Sequence, residues 1–144
     1  MNISLVPQEN IKDIWASVLP FIYEAVRVGQ HRWSIESVAE DLFSGTTTLW
    51  VFFDDEAVIK GAATVRMMQD AKGRKILCID NFGSATNSAK WMSEASRVWE
   101  QYAADQGCSF IEFFGIPKWT TMAELNDYQE IIRVFRKEIP EQAI

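Results

Sequence analysis

Three things are scarce in this chain: histidine, cysteine and basic charge. There is one histidine, His31, and two cysteines, Cys78 and Cys108. Fourteen Lys and Arg stand against twenty Asp and Glu, a formal net charge of −6. A structural zinc site needs about four Cys or His ligands, and neither cysteine belongs to a CxxC pair, so no metal site is expected. Neither cysteine has an adjacent His or basic residue to lower its thiol pKa, so core packing is the expected role of both. Binding nucleic acid requires Lys and Arg to displace counterions from phosphates. Here they are scattered, and the one cluster, Arg133, Arg136 and Lys137, is interleaved with Glu130, Glu138 and Glu141. Nucleic acid is therefore not an expected partner. Nor is a membrane, because no apolar run approaches the ~20 residues of a spanning helix. Residues 1–5 lack the charged and apolar regions of a secretory signal, and the expected compartment is the cytoplasm, with free thiols.

Four prolines, seven glycines and the absence of repeats or linker-like tracts point to a single domain over residues 1–144. That length buries about two-thirds of the unfolded surface without a covalent or metal staple. Composition, 48% hydrophobic and 24% charged, is that of a globular protein and argues against global disorder.

Residues 1–5 are β-prone. Ile11, Ile14, Trp15, Val18, Ile22, Ala25 and Val26 then form one apolar stripe at helical spacing. Pro20 lies inside the stripe and predicts a kink or a split. Ser34 offers an N-cap to a second helix carrying Ile35, Val38, Ala39, Leu42 and Phe43, and Gly45 stops it. The middle third changes period. Residues 46–53, 57–68 and 75–79 read as a three-stranded antiparallel meander, with polar turns at 54–56 and 70–73. Gly61, inside the second of these strands, suggests a bulge or a close backbone approach. After the small polar stretch 81–88 comes a helix with Met92, Ala95, Val98, Trp99, Tyr102 and Ala103 on one side, then an apolar strand over 108–114. That strand–helix–strand unit favours a parallel, right-handed crossover. The expected architecture is a mixed sheet, α/β in class (α+β by arrangement). In the tail, Trp119, Met122 and Leu125 suggest a short helix. From Tyr128 onward the pattern fits either a helix, with Asp127 and Glu130 as a capping box, or an edge strand.

Three segments carry a family likeness. Trp50 to Ala62 is similar to a strand–turn–strand unit with a glycine after the turn. Trp99-Glu100, Gln106-Gly107-Cys108 and Phe110-Ile111-Glu112 look like a helix entering a core strand. Leu125-Asn126-Asp127-Tyr128 and Val134 to Ile139 look like a final helix and strand. Together the chain resembles the GNAT-like N-acetyltransferases over nearly its whole length, and within them the small GNAT-like proteins encoded in bacteriophage genomes. The resemblance implies the element order β-α-α-β-β-β-α-β-α-β, with a strand over 128–139.

The resemblance also implies acetyl-CoA as donor and an amine as acceptor. Its pyrophosphate would lie on unpaired N–H groups at a helix N-terminus, which falls on Asn81, Phe82, Gly83, Ser84, Ala85, Thr86, Asn87 and Ser88. This stretch departs from the family pattern: it has no leading basic residue and only one glycine of the usual pair. Asp80 and Glu112 are the candidate bases. The tyrosine that many members use as acid has no counterpart before Asn126, and Tyr128 falls at a packing position. A second reading is a catalytically degenerate member acting by protein contact, in virion assembly or host interference. For that reading Trp33, Trp91 and Trp119, off the core stripes, are candidate anchors.

Overall fold

The computed structural model describes residues 2–29, 32–86, 88–115 and 119–141; His31 and Asn87 lie outside the described residues. The first strand, β1 (Asn2–Leu5), leads through a 3-10 turn at Gln8–Asn10 into α1 (Ile11–Gly29) and α2 (Ile35–Ser44). The meander follows as β2 (Thr48–Phe53), β3 (Ile59–Gln69) and β4 (Lys75–Ser84). Helix α3 (Ser88–Asp105), β5 (Phe110–Phe113) and α4 (Thr120–Leu125) complete the regular elements.

The five strands form one sheet in the order β1-β2-β3-β4-β5. The first three pairings are antiparallel, and β4 with β5 is parallel. Because successive strand residues point to opposite faces, the sheet separates two cores. Leu49, Val51 and Ala62 join Ile11, Val18, Ile22, Val38 and Leu42 beneath α1 and α2. Trp50, Phe52, Ala63, Val65, Leu77 and Ile79 pack with Trp91, Met92, Ala95 and Trp99 of α3.

Local chemistry accounts for the elements, and in places corrects the expectations. The Ser34 hydroxyl accepts from the Ser37 amide while the Ser37 hydroxyl accepts from the Ser34 amide, closing a capping box. Gly45, at φ +82°, ends α2 in the left-handed conformation that costs glycine little. Pro20 does not split α1, which runs unbroken from Ile11 to Gly29. Pro20 and Ala16, whose carbonyl loses its usual donor, are both exposed, so water can replace that hydrogen bond. Trp91 is no surface anchor: it is 4% exposed and stacks on Phe52 at 5.7 Å.

The third meander strand runs five residues past Ile79, so Asn81 to Ser84 are strand and not loop. At Gly61 a close approach is present: an added Cβ would fall 2.6 Å from the Gly83 carbonyl oxygen. A register shift between Phe52 and Phe53 lies beside it. Beyond α4 neither tail alternative is realised. Residues 128–141 take no helix and join no sheet, and Asp127, at φ +63°, opens no helix.

Candidate active site

Strand β4 has two partners over half its length and one over the rest. Ile76 to Ile79 pair with β3 on one side and with Phe110 to Phe113 of β5 on the other. Past Ile79, β4 stays paired to β3 as far as Ser84, while β5 has ended. A gap opens there, and it is a cavity of about 270 Å³. Its walls come from the C-terminal half of α1, Arg32 and Trp33 after it, β4 from Ile79 to Ser84, the start of α3, Phe113 and Phe114, and Trp119.

The change of character occurs at a bulge. Thr64 pairs with Asn81 and Val65 with Ile79, so Asp80 is the extra residue. A bulge re-aims the side chain it carries, and Asp80 lines the cavity with only 6% of its side chain exposed. Its Oδ2 accepts from Arg66 Nε at 2.9 Å, and Arg66 Nη2 donates to Asp41 Oδ2 at 2.7 Å. The guanidinium lies over the Trp33 ring, 5.0 Å from its centroid. Among the described residues no hydrogen bond holds Asp80 Oδ1. Burial pushes the Asp80 carboxyl above its ordinary range, Arg66 pulls it back through a hydrogen bond and charge, and the nearby Asp41 adds to the rise; the net direction is upward.

The remaining expected residues divide. Asn81 is buried, its amide donating to the Thr64 hydroxyl at 3.0 Å, so it is tied into the sheet. Phe82 meets Trp119 edge-on at 5.6 Å on the cavity wall. Gly83 is where α1 crosses β4: a Cβ there would lie 2.1 Å from the Phe21 carbonyl oxygen. Only a residue without a side chain permits that approach. The hydroxyls of Ser84 and Ser88 are 2.8 Å apart, joining the strand end to the first residue of α3. The Ala85 amide is taken by the Lys60 carbonyl at 2.9 Å, whereas Thr86 is exposed.

Glu112 is not brought together with Asp80. It pairs in register with Cys78, two residues below, and does not line the cavity. Tyr128 is spent on packing: its hydroxyl bonds the Ser96 hydroxyl and its ring meets Phe113 edge-on at 5.0 Å. Burial raises its pKa. Cys78 is buried, with its thiol pushed up to about 11 by desolvation and by the charges of Asp80 and Glu112, and Cys108 is half-buried. Trp33 and Trp119, expected as outward anchors, face the cavity instead.

Sequence reasoning missed Arg66 and Asp41. The available signal was a charged residue inside the apolar run of β3, which needs a buried counter-charge.

No family model matches the sequence, and no curated protein matches it. Solved structures do match. A probable acetyltransferase superposes with TM-score 0.71 at 12% identity, over 99% of both chains. An aminoglycoside acetyltransferase from an uncultured soil metagenomic sample gives 0.67 at 10% identity, over 96% of both. Glucosamine-6-phosphate N-acetyltransferase from Arabidopsis thaliana gives 0.64 at 9% identity, over 96% of this chain and 98% of that one. The fold is that of the GNAT acetyltransferases. At these identities the likeness carries architecture, and chemistry has to be argued from the side chains of this chain.

Proposed function

We propose that this protein is an N-acetyltransferase that moves an acetyl group from acetyl-CoA to an amine. The observation that carries the proposal is the gap beyond Ile79, with the Asp80 carboxyl at its floor and the start of α3 at its rim.

The residues fit such a donor in three respects. From Asp80 to Ser84 the edge of β4 facing the gap has no strand partner, so alternate backbone N–H and C=O groups are open to an extended amide-bearing chain. The first turn of an 18-residue helix, α3, adjoins that edge and supplies the orphan N–H groups and partial positive charge that attract phosphate. The Ser84 and Ser88 hydroxyls line the cavity at that turn, so Ser84 and Ser88 form the phosphate end of the site and Asn81 to Gly83 its strand edge. The donor supplies an activated acetyl thioester. Trp33, Phe113, Phe114 and Trp119 give the cavity aromatic walls.

Asp80 acts as the base. Arg66 fixes Oδ2 and leaves Oδ1 to accept a proton from the entering ammonium group. Burial that raises the Asp80 pKa makes it a better proton acceptor than a solvated aspartate, and Arg66 keeps it ionised enough to act. Glu112, outside the cavity, takes no part. The freed amine attacks the thioester carbonyl and the C–S bond breaks; with Tyr128 engaged by Ser96, the leaving thiolate takes the second proton that the nitrogen sheds.

One observation favours a second reading. Tyr128 is locked into packing and, among the described residues, no tyrosine lines the cavity, as suits a degenerate member acting by protein contact in phage assembly or host interference. Acetyl-CoA separates the two. At a hundred times its dissociation constant the ligand stabilises by about 2.7 kcal/mol, a rise in Tm of roughly 5–10 °C for a chain of this size. Thiol release with a panel of amines, from polyamines to lysyl peptides, then reports transfer. No Tm shift at millimolar acetyl-CoA contradicts the enzyme reading.

A further inference from the structure

The gap beside β4 is flanked by opposite charges. Its first residue on the β4 side is Asp80, just past the pairing of Ile79 with Phe113. Its first residue on the β5 side is Phe114, whose ring carries the Arg32 guanidinium 4.8 Å from its centroid. Asp80 and Arg32 both line the cavity. Both also belong to the α1–α2 side of the sheet. Asp80 is held there by Arg66, which reaches Asp41 of α2, and Arg32 lies between the two helices in sequence.

The charges at this end are unequally committed. Arg66 is spent on Asp41 and Asp80. Glu24, also on the cavity wall, is paired with Arg27. Arg32 makes no ion pair and no side-chain hydrogen bond among the described residues; its contact is the face of a ring. A ring face leaves the planar fork of N–H donors without an anion to bind.

We propose that the acceptor is a small α-amino acid with an apolar or aromatic side chain, its ammonium group on Asp80 and its carboxylate on Arg32. The transfer rests on the acetyltransferase reading; the binding does not. Asp41, Asp80, Arg66 and Arg32 sum to zero charge, which suits a ligand that is itself neutral with one charge of each sign. A polyamine sets a second ammonium group against Arg32, and an aminophosphate brings a second negative charge that nothing in this balance offsets. A carboxylate meets a guanidinium through two parallel N–H···O bonds. Trp33 and Phe114 give the ligand's side chain aromatic neighbours. The cavity, about 270 Å³, is smaller than the roughly 300–1,000 Å³ of drug-sized sites, so a single amino acid fits it better than a peptide or an oligosaccharide.

In the transfer the amino nitrogen gives one proton to Asp80 Oδ1 and bonds to the acetyl carbonyl carbon as the C–S bond breaks. Its second proton goes to the leaving sulfur. The products are an N-acetyl amino acid and CoA. The acetylated product has lost the ammonium charge that Asp80 held.

Titration calorimetry of the full chain, alone and with CoA, tests the binding. The ligands are L-phenylalanine, phenethylamine, which lacks the carboxylate, and 3-phenylpropionate, which lacks the amine. Phenylalanine should bind at least about tenfold tighter than either. Arg32→Gln should erase the margin over phenethylamine, while Arg32→Lys, a point charge without the fork, should keep part of it. Arg32 is exposed, so both variants should melt within a few degrees of the parent. Equal binding of phenylalanine and phenethylamine overturns the proposal. So does no phenylalanine binding at millimolar concentration, or a margin that survives Arg32→Gln. Thiol release with acetyl-CoA reports the transfer separately. Release with polyamines or aminophosphates, and not with phenylalanine or leucine, overturns the acceptor class and leaves the acetyltransferase standing. Arg32-dependent phenylalanine binding, with neither thiol release nor a Tm shift under acetyl-CoA, keeps the amino-acid site and overturns the transfer.

Discussion

The two halves of β4 differ in pairing, burial and residue type. From Ile76 to Ile79 the strand is paired on both edges and buried, and its residues are apolar. From Asp80 to Ser84 one edge is open, and every residue but Phe82 is acidic, polar or small. Paired backbone on both edges makes a rigid platform. A strand that continues past its neighbour offers unpaired hydrogen-bonding groups held at fixed spacing, which a loop of the same composition would not. The bulge at Asp80 is the hinge between the two roles.

The strongest way to break the contrast is to damage each half. Leu77 is fully buried, so Leu77→Ala lowers stability by about 3 kcal/mol in denaturant titration. The open half is held by different means: Gly83 lies beneath the Phe21 carbonyl. Gly83→Ala therefore costs a similar amount, about 3 kcal/mol, by overpacking. A Gly83 variant thus reads folding and not ligand binding. Next in size is Asp80→Asn, whose side-chain oxygen can still accept from Arg66. Its Tm stays within a few degrees of the parent, while acetyl transfer falls on the order of a hundredfold. Equal loss of both would make Asp80 structural.

A smaller effect is the pH dependence of Asp80. Its folded pKa is raised by burial, so between the unfolded value, about 3.9, and the folded one the native state binds more protons. The stability contributed by that protonation is present below the unfolded pKa and is lost as pH rises through the folded pKa. Chemical denaturation of the parent against Asp80→Asn over that window should show the parent losing stability with rising pH relative to the variant. The acid limb of the transfer rate should lie above the usual carboxylate range, because only the ionised form accepts a proton. Arg66→Met removes the group that holds the pKa down, and the limb should move up further.

Much of this architecture is legible in the sequence where one force dominates. The α2 boundaries follow from Ser34 and Gly45, because a cap and a left-handed glycine are local devices. The meander follows from β-branched runs between polar turns. The misreadings share a cause, a tertiary partner that no local pattern reveals. Asn81 to Ser84 reads as loop because the stretch is small and polar, yet the Asn81 amide is satisfied by Thr64 across the sheet. Trp91 reads as exposed because it is off the helical stripe, yet it finds Phe52. Pro20 reads as a break, yet it falls on the wet side of α1, where a lost hydrogen bond is cheap. Asp80 itself was visible as an acid ending an apolar strand. Arg66 and Asp41, which set its charge state, come from 14 and 39 residues away in sequence, measured to Asp80, and their convergence is a property of the fold.

Amide hydrogen exchange of the full chain with and without acetyl-CoA sets the two halves of β4 against each other directly. Ligand-dependent slowing confined to the open edge of residues 80–84 and the first turn of α3, with 76–79 unchanged, is the expected result. Unaltered exchange across residues 80–90 at millimolar acetyl-CoA, or slowing elsewhere alone, would contradict the assignment of the gap as the donor site.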